Sequence, residues 1–159
     1  LVSDVVERKR KQGTKKVFTL KENCSAYEAV EKMKENRIGS LLILGADESL
    51  LGILSEKDVL YKCYATQVPL KERLVKDIMT PVNEIVISTP EDTTEYLRNI
   101  MTSRRIRHIP VLNAHHEIEG VISLGDLVKA ELAEQEEEAK LLREHIQNPF
   151  GIHLYDSSN

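Results

Sequence analysis

The residues best suited to chemistry are a serine and an aspartate three positions apart, and the pair occurs twice, as Ser123 with Asp126 and as Ser55 with Asp58. One pair closes the run Gly120-Val121-Ile122-Ser123-Leu124-Gly125-Asp126. The other closes Gly52-Ile53-Leu54-Ser55-Glu56-Lys57-Asp58, 68 residues earlier. A serine set where a strand gives way to a helix stands among free backbone N–H groups at the positive end of the helix dipole, a place that favours an anion. An aspartate one turn later can accept hydrogen bonds from both hydroxyls of a ribose. Gly120 presents no side chain to obstruct such a ligand. Arg107 and His108, at the edge of the neighbouring strand, could offer positive charge to phosphates, and Ile109 and Pro110 an apolar wall to a base. A serine followed three residues later by an aspartate is also an ordinary helix start, stabilised by capping alone. Repetition at one spacing, in the same strand-to-helix context, is what favours the ligand.

The elements that must position these residues repeat as well. Arg37-Ile38 returns as Arg105-Ile106, Met33 as Met101, and Ile43-Leu44 as Val111-Leu112, all at the same spacing and without a gap. Each copy opens on a short β-branched or aromatic run, residues 17–20 and 85–87, that predicts a strand. A helix follows, with Ser25 and Glu28 as a capping box in the first copy and Thr93 as the cap in the second. Two strands come next, 40–44 and 51–54, matched by 108–112 and 119–122. Second helices begin at Ser55 and Ser123. The fold class is α/β (α+β), two tandem β-α-β-β-α units packed with pseudo-two-fold symmetry so that each covers the sheet face the other leaves bare. Residues 75–81 are a connector ending at a Thr-Pro break, and residues 2–6 echo its start five residues out of step, the surplus falling around Lys9-Arg10-Lys11. This divides the chain into residues 1–74 (leading segment and first repeat), 75–133 (connector and second repeat), a helical extension over 134–147, and a tail, 148–159.

Composition narrows the function. With 159 residues, 41% hydrophobic and no Trp, the chain builds an aliphatic core. A net charge of −4 lacks the broad positive field of a nucleic-acid binder. No apolar run approaches a membrane span. Cys24 and Cys63 form no CxxC pair and read as a loop thiol and a helix-packing thiol in a reducing compartment, the cytoplasm or an organelle such as the mitochondrion. The first residue, Leu1, points to trimming of a tag or a transit peptide. His115-His116-Glu117, with His145 distant, reads as a solvated loop rather than a metal site. No Gly-rich phosphate loop, nucleophile elbow or paired carboxylate is present, so neither an enzyme nor a required cofactor is expected. The last helix, 124–147, carries Val128, Leu132, Gln135, Ala139, Leu142 and Ile146 at alternating four- and three-residue steps. That seam fits either a helix laid on its own domain or one that meets a second copy or a partner.

The runs 52–58, Arg105-Ile-Arg-His-Ile-Pro-Val111 and Asp77-Ile-Met-Thr80 resemble CBS domains, named after cystathionine β-synthase, whose tandem pair is a Bateman module. The resemblance spans residues 2 to 147 and is nearest to small single-pair proteins of plants and bacteria. It implies a nucleotide cleft between the repeats for AMP, ADP, ATP or S-adenosylmethionine, and a homodimer. It also implies a protein partner such as a thioredoxin-system enzyme, as for plant single-pair relatives. By resemblance, Lys16, Phe18, Ile38 and Gly39 complete the cleft of Val121, Ser123 and Asp126. A mirror cleft uses Ile53, Ser55 and Asp58, completed by Val86, Ile106 and Arg107. Gly39-Ser40 stand there in place of Arg107-His108 and Leu42 in place of Pro110, which leaves phosphates to Lys57 and Arg107. The Asp126 cleft is therefore expected to be the better nucleotide site. An interaction scaffold with empty clefts is the alternative.

Overall fold

The computed structural model describes residues 1–13 and 17–147; Lys16 and the tail from residue 148 lie outside them. In the first repeat, β1 (Thr19–Lys21) runs parallel to β2 (Ser40–Leu44), and β2 pairs antiparallel with β3 (Leu50–Ser55). Helix α2 (Ala26–Asn36) joins β1 to β2, and its Ser25–Glu28 capping box forms as the sequence implies. The second helix is shorter than expected. α3 (Glu56–Val59) is a single turn, continued by a π-helical turn over Leu60–Tyr64.

The second repeat copies this plan in detail. α5 (Thr94–Arg104) is capped by Thr93, and β5 (His108–Leu112) pairs with β6 (Ile118–Ser123). Both hairpins shift register at the same place, between Ile43 and Leu44 and between Val111 and Leu112. Both helices end on an arginine in the left-handed region, Arg37 at φ 53 and Arg105 at φ 54. Glycine usually takes that position; a side chain there costs roughly 1–2 kcal/mol.

One expected strand is missing. Residues 85–87 form no strand, and only Ser88 bridges Val111, the counterpart of Leu20 beside Ile43. In the first repeat the Leu42 N–H donates to the Phe18 carbonyl at 3.1 Å. Pro110 stands in Leu42's place and has no N–H to give. The ladder is therefore cut at the residue that would have extended it.

Two leading segments tie the repeats together. α4 (Val75–Ile78) puts Val75 and Ile78 into the first repeat's core with Leu41, Ile43 and Leu54. α1 (Val2–Lys11), the first repeat's leading segment, puts Val2, Val5 and Val6 into the second repeat's core with Ile109, Val111 and Ile122. After α4 the chain extends as β4 (Thr80–Pro81) along the outer edge of β3. The residue before a proline disfavours helix, so Thr80 ends α4. Glu7-Arg8, at the matching place, carry no such stop, and α1 runs on to Lys11 across β6.

Helix α6 (Leu124–Gln147) has the expected bounds. Only Leu127 and Ala130 on it are buried, whereas Val128, Leu132, Leu142 and Ile146 are 49, 53, 57 and 77% exposed. The seam at alternating steps faces away from the domain.

Candidate functional site

Two cavities open between the repeats. The larger, about 530 Å³, falls within the ~300–1,000 Å³ span of small-molecule sites. It gathers all the residues expected for the mirror cleft: Ile53, Ser55, Lys57 and Asp58 from the first repeat, and Val86, Ile106 and Arg107 from the second. Its Asp58 carboxylate is the focus. The Ser55 N–H donates to Asp58 Oδ2 at 3.0 Å, the Asp58 N–H donates back to Ser55 Oγ at 3.3 Å, and Thr80 Oγ1 reaches Asp58 Oδ1 at 3.3 Å. Lys62, one turn on, pairs with Oδ1 at 3.0 Å from outside the cavity lining. The carboxylate is thus oriented by the helix start and by β4 while still facing the cavity. Arg104, Arg105 and Arg107 line the same cavity, with Glu56 and Glu84 beside them in the lining. The cavity thus holds an acceptor for vicinal hydroxyls, cations suited to phosphates, and the apolar side chains of Ile53, Val86 and Ile106.

The smaller cavity, about 280 Å³, is lined by Phe18, Ile38, Gly39, His108, Val121 and Ser123 of the cleft expected to be primary. Among the described residues, four members do not join them. Arg107 faces the other cavity, Ile109 is fully buried in the second repeat's core, and Pro110 is buried with its carbonyl taking the Ser88 N–H at 2.9 Å. Neither Ile109 nor Pro110 is a wall for a base. Asp126 is covered: Lys9 Nζ lies 2.8 Å from its Oδ2 and also donates to the Val121 carbonyl at 2.8 Å. The Ser123 N–H holds the same oxygen at 2.8 Å. Burial pushes the Asp126 carboxyl up, yet the Lys9 ammonium and the Ser123 donors hold it below the usual carboxylate range. Beside it Arg10 pairs with Glu119 at 2.6 Å.

His108 lines both cavities. Its surroundings disfavour the positive charge expected of it. Burial pushes the imidazole below its ordinary value, Asp126 and Glu56 pull it partly back, and Lys9 and Arg107 lower it further.

Sequence reasoning missed Lys9, Thr80, Arg104 and Arg105. The first lies in the charged surplus and the second in the Thr-Pro break, and neither pattern marks a cleft residue. Arg104 and Arg105 arrive through the left-handed turn closing α5. Cys24 is half-buried, Cys63 is buried in the first core, and both are free. His115 and His116 lie in the exposed β5–β6 turn, with His116 at φ 61. Among the described residues no group of three or more His, Cys, Asp or Glu could hold a metal ion, and no helix is long and apolar enough to cross a membrane.

Tandem sheet-and-helix repeats with crossed leading segments and a cleft on either side define a paired-repeat module. The CBS domain model matches residues 2–64 and 75–133, and the chain belongs to that family as a CBS pair. It is 34% identical over 151 residues to the mitochondrial CBS domain-containing protein CBSX3 of Arabidopsis thaliana, covering 94% of this chain and 73% of that one. A protein with CBS domains from Burkholderia ambifaria superposes with a TM-score of 0.77 at 32% identity, over 84% of this chain and 95% of the other. A CBS domain protein from Pyrobaculum aerophilum, solved in complex with AMP, shares the fold with a TM-score of 0.65 at 22% identity, over 79% of this chain and 88% of its own.

Proposed function

We propose that this chain is a regulatory module, not an enzyme, that binds AMP, ADP or ATP in the Asp58 cleft and passes the occupancy on to a protein partner. The observation that carries this reading is the Asp58 carboxylate, fixed by Ser55 and Thr80 on the wall of a cavity that three arginines also line. The AMP complex of the Pyrobaculum protein supports the ligand class. Ser55 Oγ accepts the Asp58 N–H at 3.3 Å and donates to Asp58 Oδ2 at 3.1 Å, so the pair caps the helix start and orients the carboxylate. The geometry favours the Asp58 cleft over the Asp126 cleft, reversing the order expected from sequence. In this reading the module works as a homodimer through the exposed seam of α6. A thioredoxin-system enzyme is the first partner to try, as the class that the resemblance to plant single-pair proteins implies.

Calorimetry with AMP, ADP, ATP, NADH and S-adenosylmethionine tests it. An adenosine nucleotide should bind, and Asp58→Ala should weaken it at least tenfold while Asp126→Ala changes it little. A ligand at a hundredfold above its Kd should also stabilise the fold by about 2.7 kcal/mol. If nothing binds below millimolar, the scaffold reading with empty clefts replaces this one. A larger loss from Asp126→Ala would restore the original order of the clefts.

A further inference from the structure

We infer that Lys9 is a built-in occupant of the ribose place in the Asp126 cleft, so that the chain offers one adenosine site and keeps its second one latched. The inference rests on the reading of the Asp58 cleft given above, and deepens it by assigning what separates the two clefts.

Thr80-Pro81 and their counterparts Glu7-Arg8 send the two leading segments on different courses. Proline turns one leading segment away from helix after Ile78, and β4 then completes the edge of β3. Without it α1 keeps its helical course and carries a lysine over the edge of β6. The Lys9 ammonium takes the Val121 carbonyl, at the position where Ile53 of the first repeat registers with Thr80. It also takes Asp126 Oδ2, one of the two oxygens a ribose diol would engage.

Asp58 too has a lysine partner, but the placement differs. Lys62 approaches from the aspartate's own helical segment and stays out of the cavity lining, leaving Asp58 on the wall. Lys9 comes from across the molecule, lines the smaller cavity itself, and leaves Asp126 off its wall. The Lys9 side chain is 27% exposed and the Asp126 side chain 16%, so water screens this pair only in part. A nucleoside entering here must first displace a tethered cation, which is always present at high effective concentration.

Titration of the full chain with ATP, and separately with AMP, decides the matter. The wild type should take one equivalent, lost in Asp58→Ala. Lys9→Met should take two, the second at least tenfold tighter than any second-site binding by wild type. Lys9→Met with Asp126→Ala should return to one, and Lys9→Arg should remain at one. Retention of the Asp58-dependent equivalent shows that Lys9→Met is folded. A second equivalent already present in wild type and lost in Asp126→Ala would overturn the latch, as would no gain in Lys9→Met. If wild type binds nothing, the functional reading fails. A gain of an Asp126-dependent site in Lys9→Met would still support the latch, and its absence would end that too.

Discussion

The Val2 amide donates to the Asp92 carbonyl at 2.9 Å, and the Val75 amide makes the matching bond to the Cys24 carbonyl at 2.8 Å, so each leading segment is stitched to the other's repeat. The next residues repeat the pattern, Ser3 to Pro90 at 2.9 Å and Lys76 to Glu22 at 3.3 Å. Neither repeat completes its core alone, and the leading segments hold the two halves in the alignment that defines both clefts.

Cutting either stitch should loosen one repeat before the other. Ile78→Ala leaves a cavity in the first core and should cost about 2–5 kcal/mol. Native-state hydrogen exchange should show the loss first in α2 and β2. Deleting residues 1–8 should instead unprotect β5 and β6. The opposite pattern, with β2 exposed by the deletion, would rule out the crossed packing.

Gly52 and Gly120 occupy equivalent strand positions but face different neighbours. A methyl group at Gly52 would run into the Thr80 backbone carbonyl and the Met79 sulfur, and backbone cannot swing aside. At Gly120 the nearest atoms are Val6 methyls 3.7 Å away, an ordinary contact. Gly52→Ala should therefore cost about 1–3 kcal/mol and weaken nucleotide binding by displacing Thr80. Gly120→Ala should stay within about 0.5 kcal/mol. Chemical denaturation of the two variants side by side checks this, and equal losses would mean β4 does not press on β3 as described.

Much of this architecture was legible in the sequence because one spacing carries strands, caps and turns together. The capping boxes at Ser25 and Ser55, the two hairpins and the bounds of α6 follow from local rules that the chain obeys. What was not legible depends on contacts far apart in sequence. Pro110 reads as a wall for a base, but its missing N–H acts on residues 85–87, which lose the ladder bond that Leu42 gives Phe18. Lys9 and Asp126 lie 117 residues apart, and no periodicity links a helix surface to a cleft in the other repeat. His108 has the right chemistry for phosphate, yet its charge is set by burial, which composition does not reveal.

The burial of His108 has a pH consequence whose sign is fixed. Its folded value is depressed below the ordinary 6.5, so the unfolded chain takes up a proton that the folded chain resists. The stability associated with the neutral imidazole is complete above about 6.5 and is lost as pH falls towards the folded value, at no more than about 1.4 kcal/mol per pH unit for one proton. Urea unfolding at about pH 7.5 and about pH 5.5 should show a steeper loss for wild type than for His108→Asn. Parallel losses would mean the imidazole titrates as it does in the unfolded chain.

The exposed leucines of α6 give the last expectation. Leu141, Leu142 and Ile146 are 59, 57 and 77% exposed, and the buried residues of this helix end at Ala130. Truncation after Ala133 removes little that the monomer's own core uses, so intrinsic stability should change by less than about 0.5 kcal/mol. A helix that leaves such a stripe to water gains most by laying it against another copy. Sedimentation of the full chain should then report a dimer and the truncated chain a monomer. A dimer that survives truncation places its main contact elsewhere, and a large fall in monomer stability would mean that the outer turns of α6 do pack on their own domain.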